Sequence, residues 1–177
     1  KFSGDKNGFL SDTLMFNRTL SDNPFRDANY VYVPYCTGDV HAGNNVPTYS
    51  GKKTHHVGAV NMEAYLQRIV ATFPDAERVI LSGSSAGGFG AGMHWGRTQE
   101  MFGKDVPVFL IDDSGPTLPN PYLKENLEQT WKKSWGLETM FPKDCPECVD
   151  DFDALFSYYA KKYPDRRGAL LSYTEDS

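Results

Sequence analysis

The sequence has no apolar run long enough to cross a bilayer. Stretches such as Val79-Ile80-Leu81 and Val108-Phe109-Leu110-Ile111 fall far short of the ~18 residues a spanning helix needs, so a membrane span is excluded. It also lacks a basic field. Its 18 Lys and Arg stand singly or in pairs against 23 Asp and Glu, for a net charge of −5, which argues against a nucleic-acid partner. Cysteine is scarce and odd in number, at three; in a secreted protein one of them must stay unpaired or bond outside this chain. Lys1-Phe2-Ser3-Gly4-Asp5 offers no initiator Met, no basic n-region and no apolar h-region, so the chain reads as lacking any targeting information it once had.

Core-forming material is abundant. Hydrophobic residues make up 40% against 23% charged, with 11 Phe, 10 Tyr and 3 Trp, a balance that excludes intrinsic disorder. The length of 177 residues fits one domain, and no repeat or long linker divides it. Asn17-Arg18-Thr19 has the spacing of a glycan acceptor, but such tripeptides are common by chance and it reads as a polar loop.

Residues 1–28 read as loop, and Tyr30-Val31-Tyr32-Val33 as a buried strand. Gly38 to Lys53, rich in Gly, Asn, Pro and Ser, is expected to cover a surface. From Val57 to Phe73 the residues Met62, Tyr65, Leu66, Ile69, Val70 and Phe73 repeat at helical spacing, and Pro74 ends the pattern. Arg78 to Leu81 is of strand length; a Gly-rich turn then leads to a helix expected to end near Phe102-Gly103. Val106 to Ile111 predicts another buried strand. Asn120-Pro121 suits the cap and first turn of a helix carrying Leu123, Leu127 and Trp131. Asp150 and Asp151 open a last helix through Phe152, Leu155, Phe156, Tyr159, Ala160 and Tyr163, and Gly168 to Tyr173 is the last strand. Apolar strands alternating with helices predict an α/β fold with a mostly parallel sheet covered by helices on both faces.

Gly83-Ser84-Ser85-Ala86-Gly87 is a G-x-S-x-G sequence between a predicted strand and a predicted helix, the setting of a nucleophile elbow. The tight turn calls for little bulk two residues before and after Ser85, and both positions are Gly. The helix that follows aims N–H groups at developing negative charge, so Ala86 N–H is a candidate oxyanion donor. No Gly-Lys-Ser or Gly-Lys-Thr follows, which excludes a phosphate loop. A serine hydroxyl needs a base, oriented by an acid that follows in the chain. Asp176, after the last strand, is the candidate acid; Asp113, with Ser114, ends an earlier strand and is expected to shape the pocket. The four histidines, His41, His55, His56 and His94, all precede Asp176. His55-His56 reads as a pair at a helix start, and His94 as a satisfied interior side chain. Asp39 and His41 are either pocket residues or a solvated loop pair. Cys145-Pro146-Glu147-Cys148 reads as a local disulfide or loop staple, since zinc wants about four ligands.

Taken in order, Asn23-Pro24-Phe25-Arg26-Asp27, Val33-Pro34-Tyr35-Cys36-Thr37-Gly38-Asp39-Val40-His41-Ala42-Gly43, Gly83 to Gly88, Asp113-Ser114-Gly115 and Leu170 to Asp176 resemble the pectin acetylesterase family, which includes Notum-type lipid-protein deacylases. The resemblance covers nearly the whole chain. It implies a secreted or cell-envelope serine carboxylesterase of α/β-hydrolase-like fold, without metal or organic cofactor and with no obligate protein partner. Ser85 matches the nucleophile and Asp176 the triad acid. The loop Asp39 to His41 is expected near the nucleophile. The family's Gly-Gly oxyanion loop and its histidine have no match, so the chain is expected to be the central part of a larger domain, with Cys36 pairing in the remainder. The implied activity is removal of acetyl groups from a polysaccharide. The alternatives are release of a longer acyl chain and an inactive carbohydrate-binding or interaction domain.

Overall fold

The computed structural model describes residues 15–119 and 122–174, which belong to two units, Lys1–Pro34 and Tyr35–Ser177. In the first unit Tyr30 to Val33 forms no strand, contrary to the sequence expectation, and Val31 and Tyr32 are exposed. Aromatic and β-branched residues favour a strand only where a neighbouring ladder takes up their backbone groups; none does so among the described residues. Side chains tie this unit together instead. The Asn23 amide donates to the carbonyls of Met15 and Asn17. Arg18 donates to the carbonyls of Arg26 and Ala28 and lies over the Tyr30 ring. Asn17 closes on the N–H and hydroxyl of Thr19, so the Asn17-Arg18-Thr19 segment is a tight polar turn.

The second unit opens with a surprise. Gly38 to Lys53 is a surface hairpin only in its second half, where β1 (Thr48–Tyr49) and β2 (Lys52–Lys53) pair antiparallel. Ser50 and Gly51 between them have φ of +48° and +81°, the signs that a two-residue hairpin turn needs. In the first half Asp39, Val40, Ala42 and Gly43 are buried, whereas Gly38 and Asn44 stay exposed. Composition hid this because the Asp39 carboxylate carries its own partners inside.

Helix α1 (Gly58–Thr72) follows the predicted period, with Met62 and Leu66 buried, and stops before Pro74. It has no local side-chain cap; Asp39 supplies one from a distance, its Oδ2 accepting the Gly58 N–H at 2.8 Å. Strand β3 (Val79–Ser84), helix α2 (Ala86–Phe102) and strand β4 (Val108–Asp113) come next. Strand β5 (Gly168–Leu171) completes a parallel sheet of order β3-β4-β5. This is the expected α/β fold. Alternate residues of β4 (Val108, Leu110 and Asp112) are buried, and α2 lies on that side, with the Trp95 indole N–H donating to the Val108 carbonyl at 2.9 Å. Strand β5 is shorter than expected, and Leu170 and Leu171 are each 52% exposed.

Helix α3 (Glu125–Trp131) runs into a π turn (Lys132–Gly136) and a 3₁₀ turn (Leu137–Met140). Its expected cap, Asn120-Pro121, lies outside the described residues. Leu123 is buried, but Leu127 is 40% exposed, so the fourfold spacing from Leu123 to Trp131 is not one continuous buried stripe. The helix expected to open at Asp150 and Asp151 begins only at Ala154, as α5 (Ala154–Lys162); a separate short helix, α4 (Glu147–Asp150), ends at Asp150, and Asp151 between them is extended. Phe152, Leu155 and Tyr159 still reach the core. Cys145 and Cys148 form the expected local disulfide and are fully buried. Among the described residues no helix is long and apolar enough to cross a membrane.

Candidate active site

Ser85 stands where β3 ends and α2 begins, with φ +54° and ψ −120°. A non-glycine residue in that region is strained, and it persists only where its surroundings hold it. They do so through main chain. The Ser85 N–H donates to the Asp113 carbonyl at 2.8 Å, and the Ser85 carbonyl accepts Phe89 N–H at 3.1 Å to start the helix. The N–H groups of Ala86, Gly87 and Gly88 lie ahead of that first bond, directed out of the helix N-terminus. Ser85 is exposed.

The glycines divide differently from the sequence expectation. A Cβ on Gly83 would overlap the Gly87 carbonyl, so Gly83 is required by backbone approach, whereas a Cβ on Gly87 would meet nothing within 4 Å. Gly88 is the other crowded position, pressed against the Asp112 carboxylate and the Cα of Gly115.

Asp113 and Ser114 lie beside the elbow. Asp113 pairs with Ser84 in the sheet register, and the Ser114 hydroxyl donates to Asp113 Oδ1 at 3.2 Å. Ser114 has φ +58°, and its N–H donates to the Leu171 carbonyl at 2.8 Å. Asp176 lies outside the described residues.

The loop from Tyr35 to Gly43 is built with care. Val40 and His41 both have left-handed φ, +49° and +62°, which for a β-branched residue is a marked outlier. The turn is held on every side: the Tyr35 hydroxyl accepts Val40 N–H, Ala42 N–H donates to the Asp39 carbonyl, and His94 Nε2 bonds the His41 carbonyl at 2.8 Å. Asp39, expected either at the pocket or in a solvated loop pair, lies inside the turn. It is fully buried, with its oxygens taken by the Thr37 hydroxyl and Gly58 N–H, so it supports the turn rather than facing a ligand.

His41 is different. Its ring packs on Tyr35 at 4.8 Å and against Gly90 of α2. Positions four apart on a helix are neighbours at ~5–6 Å, so Gly90 puts the imidazole next to the helix face that begins at Ala86. Burial lowers the His41 pKa, opposed by the Asp39 charge. His94, on the same helix, is driven down to about 4 by burial, opposed by its bond to the His41 carbonyl. It is the interior histidine expected, except that Nδ1 has no hydrogen-bond partner among the described residues. His56 is also interior, bonded to the Thr37 carbonyl and the Tyr49 hydroxyl.

Asp112 escaped the sequence reading. It is fully buried beneath α2, and burial pushes its carboxyl up to about 6, against the lowering effect of the Gly115 N–H and with a further push from Asp113. The signal was there, since the two-residue period of Val108 and Leu110 puts Asp112 on the buried face. Surface cavities of about 490 and 360 Å³ lie along the π turn and between α1 and α2; neither is lined by Ser85. Among the described residues no group of three His, Cys, Asp or Glu could hold a metal ion.

The pectinacetylesterase family model matches residues 3–165. The chain belongs to the pectinacetylesterase family. Palmitoleoyl-protein carboxylesterase notum2 of Xenopus laevis is 33% identical to it over 157 residues, covering 80% of this chain and 32% of that protein. The Wnt deacylase Notum from Drosophila superposes in two crystal forms with TM-scores of 0.60 and 0.56 at 21% identity, over 84% of this chain. This likeness shows that the fold is shared. The chain spans about a third of the curated relative and about half of the solved one.

Proposed function

We propose that this pectinacetylesterase-family protein is a serine carboxylesterase that works through an acyl-enzyme on Ser85. The observation that carries the reading is the strained Ser85 backbone at the junction of β3 and α2, beside outward-directed N–H groups. Ser85 Oγ bonds to the acyl carbon as a histidine takes its proton; the ester C–O bond breaks, and the proton passes to the departing alcohol. Water then repeats the sequence and releases the acid. Ala86 N–H stabilises the oxyanion, Asp176 orients the imidazole, and His41, Asp113 and Ser114 flank the substrate.

The base in this scheme is none of the four histidines of the chain. His94 and His56 are committed to the main chain, His41 is turned onto Gly90, and His55 precedes α1. In this reading the base comes from outside these residues. The substrate is an acylated carbohydrate, in line with the family's name, with acetyl the group removed and no cofactor involved. The relative named for palmitoleoyl-protein keeps a longer acyl chain as the second reading. The buried Cys145–Cys148 disulfide suits an extracellular or cell-envelope setting.

Intact-mass analysis of the full-length protein after a fluorophosphonate is expected to give one adduct, absent in Ser85→Ala. An adduct that survives in that variant overturns the assignment. Comparing p-nitrophenyl acetate with the palmitate ester separates the two acyl readings.

A further inference from the structure

One buried ionisable group near the elbow has no place in that chemistry. The Asp112 carboxyl is wedged between β4 and the first turns of α2. Its Oδ1 accepts the Gly115 N–H at 3.0 Å, and Oδ2 has no hydrogen-bond partner among the described residues. A Cβ on Gly88 would overlap Oδ1, and one on Gly92 would stand 3.7 Å from Oδ2. Gly115, which this carboxyl fixes, is packed against the Ser85 carbonyl and Phe89 N–H so closely that no side chain fits. Two residues earlier, the Asp113 carbonyl receives the Ser85 N–H. The turn from Asp112 to Gly115 therefore meets both the N–H and the carbonyl of Ser85, and Asp112 holds that turn.

We infer that Asp112 is a positioning residue for Ser85: as a neutral carboxyl it locks the turn from Asp112 to Gly115 against the elbow, and on ionisation it loosens that grip. The inference rests on the reading of Ser85 as the nucleophile. A carboxylate with one unpartnered oxygen in an apolar site must gain water or a donor, and it can do so only by parting α2 from β4 at Gly88 and Gly92. Among the described residues no cation offsets the charge. Its own strand presents Asp113, which repels it. Across the sheet stand Gly83 and Leu170, α2 presents Gly88 and Gly92, and Phe156 of α5 closes the site at Gly92. The dipole of α2 favours the anion but fades within the first turn; burial dominates.

The test is kcat and KM for p-nitrophenyl acetate across the acid-to-neutral range in the full-length wild type, Asp112→Asn and Asp112→Leu. Asn mimics the neutral acid, so it is expected to match wild-type kcat near pH 5 and exceed it about tenfold near pH 7.5, where the wild-type carboxyl is ionised. Leu, which cannot accept the Gly115 N–H, is expected to lower kcat about tenfold throughout with KM little changed. Superimposable pH profiles for wild type and Asn overturn the inference, and this comparison stands even if the Leu variant does not fold. Ser85→Ala is run beside them. If it is inactive while those profiles coincide, the positioning role alone is wrong; if it stays active, the reading of Ser85 is wrong and the inference goes with it.

Discussion

The N–H of Ser85 donates to the carbonyl of Asp113 at 2.8 Å, so the two residues are joined through main chain, while the Asp113 carboxylate accepts from Ser114. A side-chain substitution at Asp113 thus leaves the bond that holds the nucleophile intact. Asp176, in the proposed scheme, acts only through its carboxylate. Asp176→Asn is expected to lower turnover by ~10⁴, the usual effect of a misoriented base, whereas Asp113→Asn keeps measurable activity. The opposite ranking in ester hydrolysis by the full-length protein would move the triad acid to the end of β4.

The two glycines that flank Ser85 are expected to respond oppositely to alanine. At Gly83 a Cβ would overlap backbone, the Gly87 carbonyl, which cannot swing away as a side chain can. Gly83→Ala is expected to cost more than ~2 kcal/mol, within the range for overpacking, and to abolish fluorophosphonate labelling. Gly87 sits in the first turn of α2 with open space around its Cβ position, so Gly87→Ala is expected to be neutral or to stabilise by up to ~1 kcal/mol through helix propensity. Urea midpoints of both variants decide it; equal losses would mean that both positions are crowded.

Much of this architecture was legible because periodicity reports which face is buried. Met62 and Leu66 announced α1, the strand lengths of Arg78 to Leu81 and Val106 to Ile111 announced β3 and β4, and the glycines around Ser85 announced the turn between β3 and α2. Signals that depend on distant partners were not legible. Asp39 looks like a loop residue until Gly58, nineteen positions on, supplies the N–H that its carboxylate caps. Val40 and His41 take a left-handed backbone that a β-branched residue normally avoids, because Asp39, Tyr35 and His94 converge on that turn. Tyr30 to Val33 failed the other way: its propensity is that of a strand, but among the described residues no ladder receives it.

The Cys145–Cys148 bridge closes a very short loop, with a sequence separation of 3. On the loop-entropy relation such a bridge is worth ~2 kcal/mol. Replacing both cysteines by alanine is expected to lower the unfolding free energy by about that amount and to leave fluorophosphonate labelling of Ser85 unchanged, since the bridge ties the start of α4 and does not lie beside the elbow. An unaltered denaturation midpoint would mean that the bridge contributes nothing in solution.

Asp112 and His94 are both buried, both favour the neutral form, and pull the pH dependence of stability in opposite directions. For Asp112 the folded carboxyl titrates at about 6 against an ordinary 3.8, so its stabilising contribution is full below about 3.8 and disappears as the pH rises through 6. For His94 the folded imidazole titrates at about 4 against an ordinary 6.5, so its contribution is present above 6.5 and disappears as the pH falls through 4. Each shift of roughly two units corresponds to about 3 kcal/mol by linkage. Over the shared interval the two slopes nearly cancel in the wild type, and single substitutions should expose them. Relative to wild type, Asp112→Asn is expected to gain stability as the pH rises from about 4 to 6.5, and His94→Gln to gain it as the pH falls over the same interval. Denaturant titrations near pH 4.5, 5.5 and 7 measure both differences, and any constant offset from altered packing drops out of the slope. Variant curves that run parallel to wild type would mean that neither group is held neutral by the fold, and that the Asp112 carboxyl has found a donor or water beneath the elbow.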